Sequence, residues 1–159
     1  MNMLAWNVLL ALTWAVAFGK FTPQHLAFGF GLGYLILMFT RRALGPTHYF
    51  VKVPQVIGFA FFYLWQLFLS NLRVAYDVVT PTHYMKPGVI AVSLEARTDV
   101  EITMLANLIT LTPGTLSLDL APDRSVLYVH CMYIDDGNVD LARRHIKEGL
   151  ERRVLQVLR

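Results

Sequence analysis

Charge is what the first half of this sequence lacks. Between Met3 and Thr40 the only Asp, Glu, Lys or Arg is Lys20. Up to Thr80 the single acid is Asp77, and the other ten of the eleven acidic residues follow Pro81. A path for protons or bare cations needs ionisable groups at bilayer depth, as relays or as replacements for hydration. Residues 1–40 offer none. Cysteine is nearly absent too: Cys131 alone excludes an internal disulfide and a cysteine-based metal cluster. The five histidines make no H-x-x-x-H pair or comparable metal spacing. His130, Cys131 and Asp119 suggest a triad, but adjacent residues on a strand point to opposite faces. We therefore expect no catalytic residue, no cofactor and no metal. The net charge of +3 is modest and its basic residues form no stripe, which argues against a nucleic-acid partner.

What is present is apolar. Of 159 residues 55% are hydrophobic and only 16% charged, and the mean hydropathy is +0.47, outside the range of an ordinary soluble domain. Two runs, Met3–Phe18 and His25–Thr40, carry most of this character. Sixteen helical residues cover about 24 Å, close to a hydrocarbon core of roughly 30 Å once flanking residues are added. A membrane protein follows. No Lys or Arg precedes the first run, and Phe18-Gly19-Lys20-Phe21 lacks a small-x-small cleavage pattern, so retention of this segment is expected rather than its removal as a signal peptide.

The expected fold class is a membrane α-helical hairpin plus a membrane-associated third helix, followed by a small α+β (β-α-β-β-α) domain. Residues 1–42 form the hairpin, turning at Gly19–Pro23, with Thr22 as cap and Pro23 at the first helical position. Trp6 and Trp14 are expected at the membrane interfaces. Gly29, Gly31 and Gly33 have no strand before them and so make no phosphate loop. Gly29 and Gly33, four apart on one face, let another transmembrane helix approach closely. Arg41 and Arg42 end the hairpin, and Gly45-Pro46 supplies a turn. Residues 43–85 hold the loop and a helix over Pro54–Val79 whose Gln55, Gln66, Ser70, Arg73 and Asp77 fall within about 60° of one another. Such a stripe suits a helix lying in the interface, or one that turns the stripe toward a partner. Arg41, Arg42 and Lys52 crowd one loop, which the positive-inside rule puts in the cytoplasm together with the N-terminus. The basic terminal helix suits an anionic inner leaflet, so residues 86–159 are expected there as well.

In that domain Val89–Leu94 reads as a strand, and Thr98-Asp99-Val100-Glu101 is a capping box opening a helix through Leu108. Thr115–Leu120 and Val126–Tyr133 alternate as strands around a turn at Pro122-Asp123-Arg124. After the Asp135-Asp136-Gly137-Asn138 turn, one amphipathic helix follows, with Val139, Ile146, Leu150, Val154 and Val157 on its apolar side. Between helix and strand lies Thr110-Leu111-Thr112-Pro113-Gly114-Thr115. Pro113-Gly114 makes the corner, and three threonines can satisfy the freed backbone groups.

This block, from Ile109 to Thr115, followed by Asp119 and Leu127-Tyr128-Val129-His130, resembles the MrpE family (also called MnhE or PhaE), a small-subunit family of the Mrp-type multisubunit cation/proton antiporters. Ser70-Asn71-Leu72-Arg73-Val74-Ala75, Lys86-Pro87-Gly88-Val89 and the terminal Glu151-Arg152-Arg153-Val154 resemble further family blocks in the expected order. The resemblance implies an accessory component of a bacterial inner-membrane complex, beside large complex-I-like subunits to which the ion pathways are assigned, and beside other small subunits. It assigns no catalytic residue. The partners expected are those subunits and membrane lipid. Candidate packing and assembly residues are Gly29, Gly33, Gln66, Ser70, Asn71, Arg73 and Asp77. The alternative is a membrane-anchored adaptor whose soluble domain binds a regulatory protein or small ligand.

Overall fold

The computed structural model describes residues 3–44, 49–81, 85–134 and 138–159, with backbone alone for 41–44. The Gly45-Pro46 turn and Asp135-Asp136-Gly137 lie outside the described residues. The chain divides into two compact units, Met1–Pro54 and Gln55–Arg159.

In the first unit, α1 (Met3–Ala17) and α2 (Pro23–Leu44) pack antiparallel. Gly19 ends α1 with φ 63°, and Thr22 Oγ1 accepts from the His25 N–H at 3.4 Å. Every fourth residue of α1, namely Met3, Asn7, Ala11 and Ala15, is buried. The facing stripe on α2 holds Gly29, Gly33 and Leu37. Small residues on both helices bring the backbones together: a Cβ on Gly29 would stand 3.1 Å from the Ala11 backbone and 2.9 Å from Trp14 Cβ. Gly31 faces open space. Trp14 packs on Phe18 and Phe28, with ring centroids 4.4 and 5.2 Å away, and its indole nitrogen is buried.

The third helix, α3 (Tyr49–Val79), starts five residues ahead of the expected Pro54. Proline inside a helix frees the carbonyl four residues back. Here that carbonyl, on Phe50, accepts from the Tyr34 hydroxyl at 3.4 Å. The tyrosine on α2 thus tolerates the proline that sequence reasoning took for a boundary. Among the described residues, α3 is the one helix long and apolar enough to cross a membrane by length and composition.

The second unit adds to α3 a three-stranded antiparallel sheet, β1 (Gly88–Ser93), β2 (Thr115–Leu120) and β3 (Val126–Cys131), in the order β1-β3-β2. One face is core: Ile90, Val92, Leu127, Val129 and Cys131 meet Leu105 and Ile109 of α4 (Asp99–Leu111) and Ile146. Each such large apolar side chain contributes roughly 1.5–3 kcal/mol by leaving water. The other face is open, with Val89, Leu116 and Tyr128 exposed. The capping box is complete: Thr98 Oγ1 accepts from the Glu101 N–H, and the Glu101 carboxylate accepts from the Thr98 N–H. The chain closes not as one regular helix but as α5 (Val139–Arg144), a π-helical segment (His145–Glu151) and α6 (Arg152–Leu158). The wider π turn takes one more residue and re-phases the apolar stripe. Glu151 thereby turns inward, where its Oε1 accepts from the N–H groups of Glu95 and Ala96.

Glu101 ties the end of the chain to this domain. Hydrogen bonds from Arg159, then from the Arg97 and Thr98 N–H groups, hold its carboxyl at about 2. A carboxylate depressed in the folded state stabilises above its unfolded value and loses that contribution as pH falls through the folded one. The domain should therefore weaken as pH falls from about 4.5 to about 2. Glu101→Gln should be less stable at neutral pH and show a flatter acid-unfolding profile across that window, read by circular dichroism.

Candidate functional site

The helix-to-strand corner is built from the backbone outward. At the end of α4 the orphaned carbonyls need donors. Thr112 Oγ1 donates to the Leu108 carbonyl at 2.8 Å, and Thr115 Oγ1 donates to the carbonyls of Ile109 and Thr112. Thr110 Oγ1 accepts from the Ser117 N–H at 3.2 Å. Gly114 then reverses the chain at φ 89°, a conformation that costs a residue with a Cβ about 1–2 kcal/mol. A Cβ there would also stand 3.2 Å from the Tyr133 ring.

Tyr133 is where the corner, α3 and the Lys86 segment meet. Its ring covers Gly114, and the Arg73 guanidinium of α3 lies over it, 4.1 Å from the centroid. Its backbone bridges to Lys86, and the next N–H, of Ile134, donates to the Lys86 carbonyl at 3.1 Å. Its hydroxyl is enclosed near the carboxylate of Asp77, with which it makes no well-formed hydrogen bond. Loss of water, then the hold of the Asp77 carboxylate on the phenolic proton and its charge, push the phenol up to about 12, so Tyr133 stays protonated. Asp77 itself is 3% exposed. It is the one acid of the first eighty residues, and it is buried.

Two further contacts fix α3 on the domain. The Tyr63 hydroxyl donates to the Leu108 carbonyl at 3.0 Å, and the Arg153 guanidinium lies 3.7 Å over the Phe62 ring while Nη1 donates to the Gly149 carbonyl at 2.8 Å. Between α3, the corner and the π segment remains a cavity of about 300 Å³. Gln66, Ser70 and Arg73 line it from α3, Thr112–Thr115 from the corner, and His145, Ile146 and Leu150 from the π segment.

The polar stripe of α3 and the threonine corner, read separately in the sequence, thus share one site. Gln55 lies away from the cavity and Asp77 is buried beside it. Asn71 does not join them: it is exposed, and its Nδ2 donates to the Leu67 carbonyl of its own helix at 2.8 Å. Thr110 serves the corner without lining the cavity. Gly29 and Gly33 belong to the first unit, where their face is taken by α1 of the same chain and is not free for a neighbouring subunit. Sequence reasoning missed Tyr133, His145 and Asn7. Tyr133 falls just past its strand, and His145 is set by the π turn. Asn7 was the single polar residue in the repeat Met3, Asn7, Ala11, Ala15 and could have been found there. It is 0% exposed, and its Nδ2 donates to the Tyr49 hydroxyl. Among the described residues no three His, Cys, Asp or Glu side chains gather to hold a metal ion.

Residues 7–157 match the MnhE family, described as Na+/H+ ion antiporter subunit. The chain belongs to that family. Similar proteins include the E-type Na(+)/H(+) antiporter subunit of Bacillus subtilis, 37% identical over 153 residues and 96% of each chain. Its counterpart from Alkalihalophilus pseudofirmus is 33% identical, over 95% of this chain and 94% of that one. Among solved structures, a chain of the archaeal membrane-bound sulfane sulfur reductase, a respiratory membrane complex, superposes with a TM-score of 0.57 at 28% identity, covering 96% of both chains. A chain of the Mrp complex from Dietzia sp. gives 0.50 at 30% identity, over 65% of this chain and 96% of that one. An MrpE-type chain is a component of a Na+/H+ antiporter complex, a transporter part.

Proposed function

We propose that this protein supports assembly of a monovalent cation/proton antiporter in the bacterial inner membrane and carries no ion itself. The other membrane subunits of the complex are its partners. The observation that carries this reading is the distribution of charge. Below Tyr49 the described side chains include Lys20 as the only charged one, and the acid of α3, Asp77, is closed off beside Tyr133. A conducting path needs ionisable groups that water and ions can reach.

In this reading α1 and α2 form a transmembrane hairpin, and α3 lies at the cytoplasmic interface with the α+β domain inside the cell. Support comes from the two sides of α3. Phe62, Tyr63 and Arg73 hold the α+β domain, while Phe61, Leu64, Trp65, Phe68 and Leu72 are exposed on the side away from it. A helix with one apolar side free and a polar domain on the other fits the plane of the headgroups. The length and composition of α3 favour a second reading, in which it spans and the domain lies outside. Reporters fused after Arg159 separate the two. A fusion active in the cytoplasm is expected, and one active only outside it would move the domain across the membrane.

The transport claim is tested in vesicles containing this chain alone. No ΔpH-driven exchange of sodium or potassium is expected there, whereas deletion of the chain should lower the yield or activity of the whole complex. Robust exchange by the isolated chain would reverse the assignment.

A further inference from the structure

We propose that the open face of the three-stranded sheet is the seat of another subunit of the antiporter complex, which lays on it an extramembrane segment of apolar side chains with a lysine or arginine opposite Asp119. The proposal deepens the assembly reading above and rests on it. The register defines the face. Residues directly opposite in an antiparallel pair share one side of the sheet. Val89, His130 and Leu116 therefore form one row, and Ala91, Tyr128 and Asp119 the next. Asp119 joins its row because the pairing of β2 shifts between Ser117 and Asp119. A regular strand would set Leu118 opposite Tyr128 and turn Asp119 to the core side. The bulge thus adds a carboxylate to an apolar face. Val89 is 58% and Leu118 50% exposed, and Leu116 and Tyr128 are exposed beside them, a patch of the kind that marks an interaction surface. Both outer edges of the sheet are engaged. The Ala91 carbonyl of β1 accepts from Arg143 Nε at 2.9 Å, and the Ser117 N–H of β2 donates to Thr110 Oγ1 at 3.2 Å. The edges offer little to an added strand, so recognition falls to the side chains of the face.

Charge and size select the occupant. Among the described residues Asp119 has no cationic partner, and its Oδ1 accepts from the neighbouring Leu120 N–H at 2.8 Å. An incoming lysine or arginine complements it. An anionic leaflet repels that carboxylate, which disfavours a lipid surface. A second copy brings another Asp119 and neither lysine nor arginine in these rows. Three strands of six residues present a footprint of roughly 300 Å². An interface that holds two free proteins takes about 800 Å² from each. So small a face is effective between chains that the membrane already holds side by side, where docking becomes intramolecular. A neighbouring subunit of the same complex meets that condition.

The test uses the whole complex in its native membrane, with the photo-cross-linking residue p-benzoylphenylalanine in place of Leu116 or, on the other edge strand, of Val89. Mass spectrometry identifies the peptide captured. Both probes are expected to reach the same segment of one other subunit, a segment that carries a lysine or arginine. Asp119→Lys should lower both cross-links about tenfold or more, because like charges then meet in the interface, and Asp119→Asn should lower them less. Changing the partner's mapped cation to glutamate should restore them in the Asp119→Lys background, a rescue that damage to the fold would not give. Cross-links to a second copy or to lipid alone would overturn the proposal, as would a captured segment without a basic residue, or charge reversal without effect. The assembly reading fails separately, if deletion of the whole chain leaves the yield and activity of the complex unchanged. If deletion lowers them and neither probe reaches another subunit, the sheet-face proposal alone falls.

Discussion

Replacing Gly29 and Gly33 together by leucine should remove this protein from the complex, and in the structure the cause lies inside the chain. A Cβ on Gly29 meets the backbone of Ala11 at 3.1 Å, which no rotamer change relieves. A Cβ on Gly33 runs into Asn7 Oδ1, and Leu10 Cβ stands 3.1 Å away. Overpacking of this kind costs about 1–3 kcal/mol per site, and separation of α1 from α2 also exposes Asn7, whose amide donates to the Tyr49 hydroxyl. Single substitutions divide the effect. Gly33→Ala should be rescued in part by Asn7→Ala, because the group it strikes is a side chain. Gly29→Ala should not be rescued by Asn7→Ala, since its obstacle is backbone and Trp14 Cβ. Copurification with the other subunits, measured by blot against a tagged partner, reads both. If the double leucine variant copurified at full yield, the packing of α1 on α2 would not be what holds the first unit.

The order of elements was legible because its signals are local. The capping box at Thr98 and Glu101, the proline after Thr22 and the alternation through Thr115–Leu120 each depend on residues within a turn or two. What stayed hidden depends on contacts across the chain. Pro54 looked like a helix start because the residue that accommodates it, Tyr34, lies on another helix. The π segment has no local signature: Ile146, Leu150 and Val154 keep a helical spacing, yet the turn that buries Glu151 answers to the N–H groups of Glu95 and Ala96, more than fifty residues earlier. The candidate site was half visible for the same reason. Gln66, Ser70 and Arg73 announced a polar side of α3, and Thr112-Pro113-Gly114-Thr115 announced a corner. Tyr133 joins them and carries no motif of its own, since its importance comes from Gly114 and Asp77 lying on either side of it.

Gly114→Val is the sharpest probe of that junction. With φ at 89°, a β-branched residue is strained whatever the space around it, at about 1–2 kcal/mol or more. Its side chain would also press on the Tyr133 ring, already 3.2 Å from the position of a Cβ. Tyr133 cannot yield freely, because Arg73 covers it and its hydroxyl is enclosed beside Asp77. The strain therefore passes to α3, and the expected result is loss of the protein from the complex with transport lost as a consequence. Tyr133→Ala in the same chain removes the clash but not the backbone strain, so it should restore assembly only in part. Gly114→Asn, which tolerates a left-handed backbone better, should be milder than valine. Complex yield and antiport activity per assembled complex separate the causes. Reduced yield with normal activity per complex is the structural outcome expected here. Normal yield with abolished antiport would instead make the corner part of the transport machinery, and the assignment of this chain to assembly alone would fall.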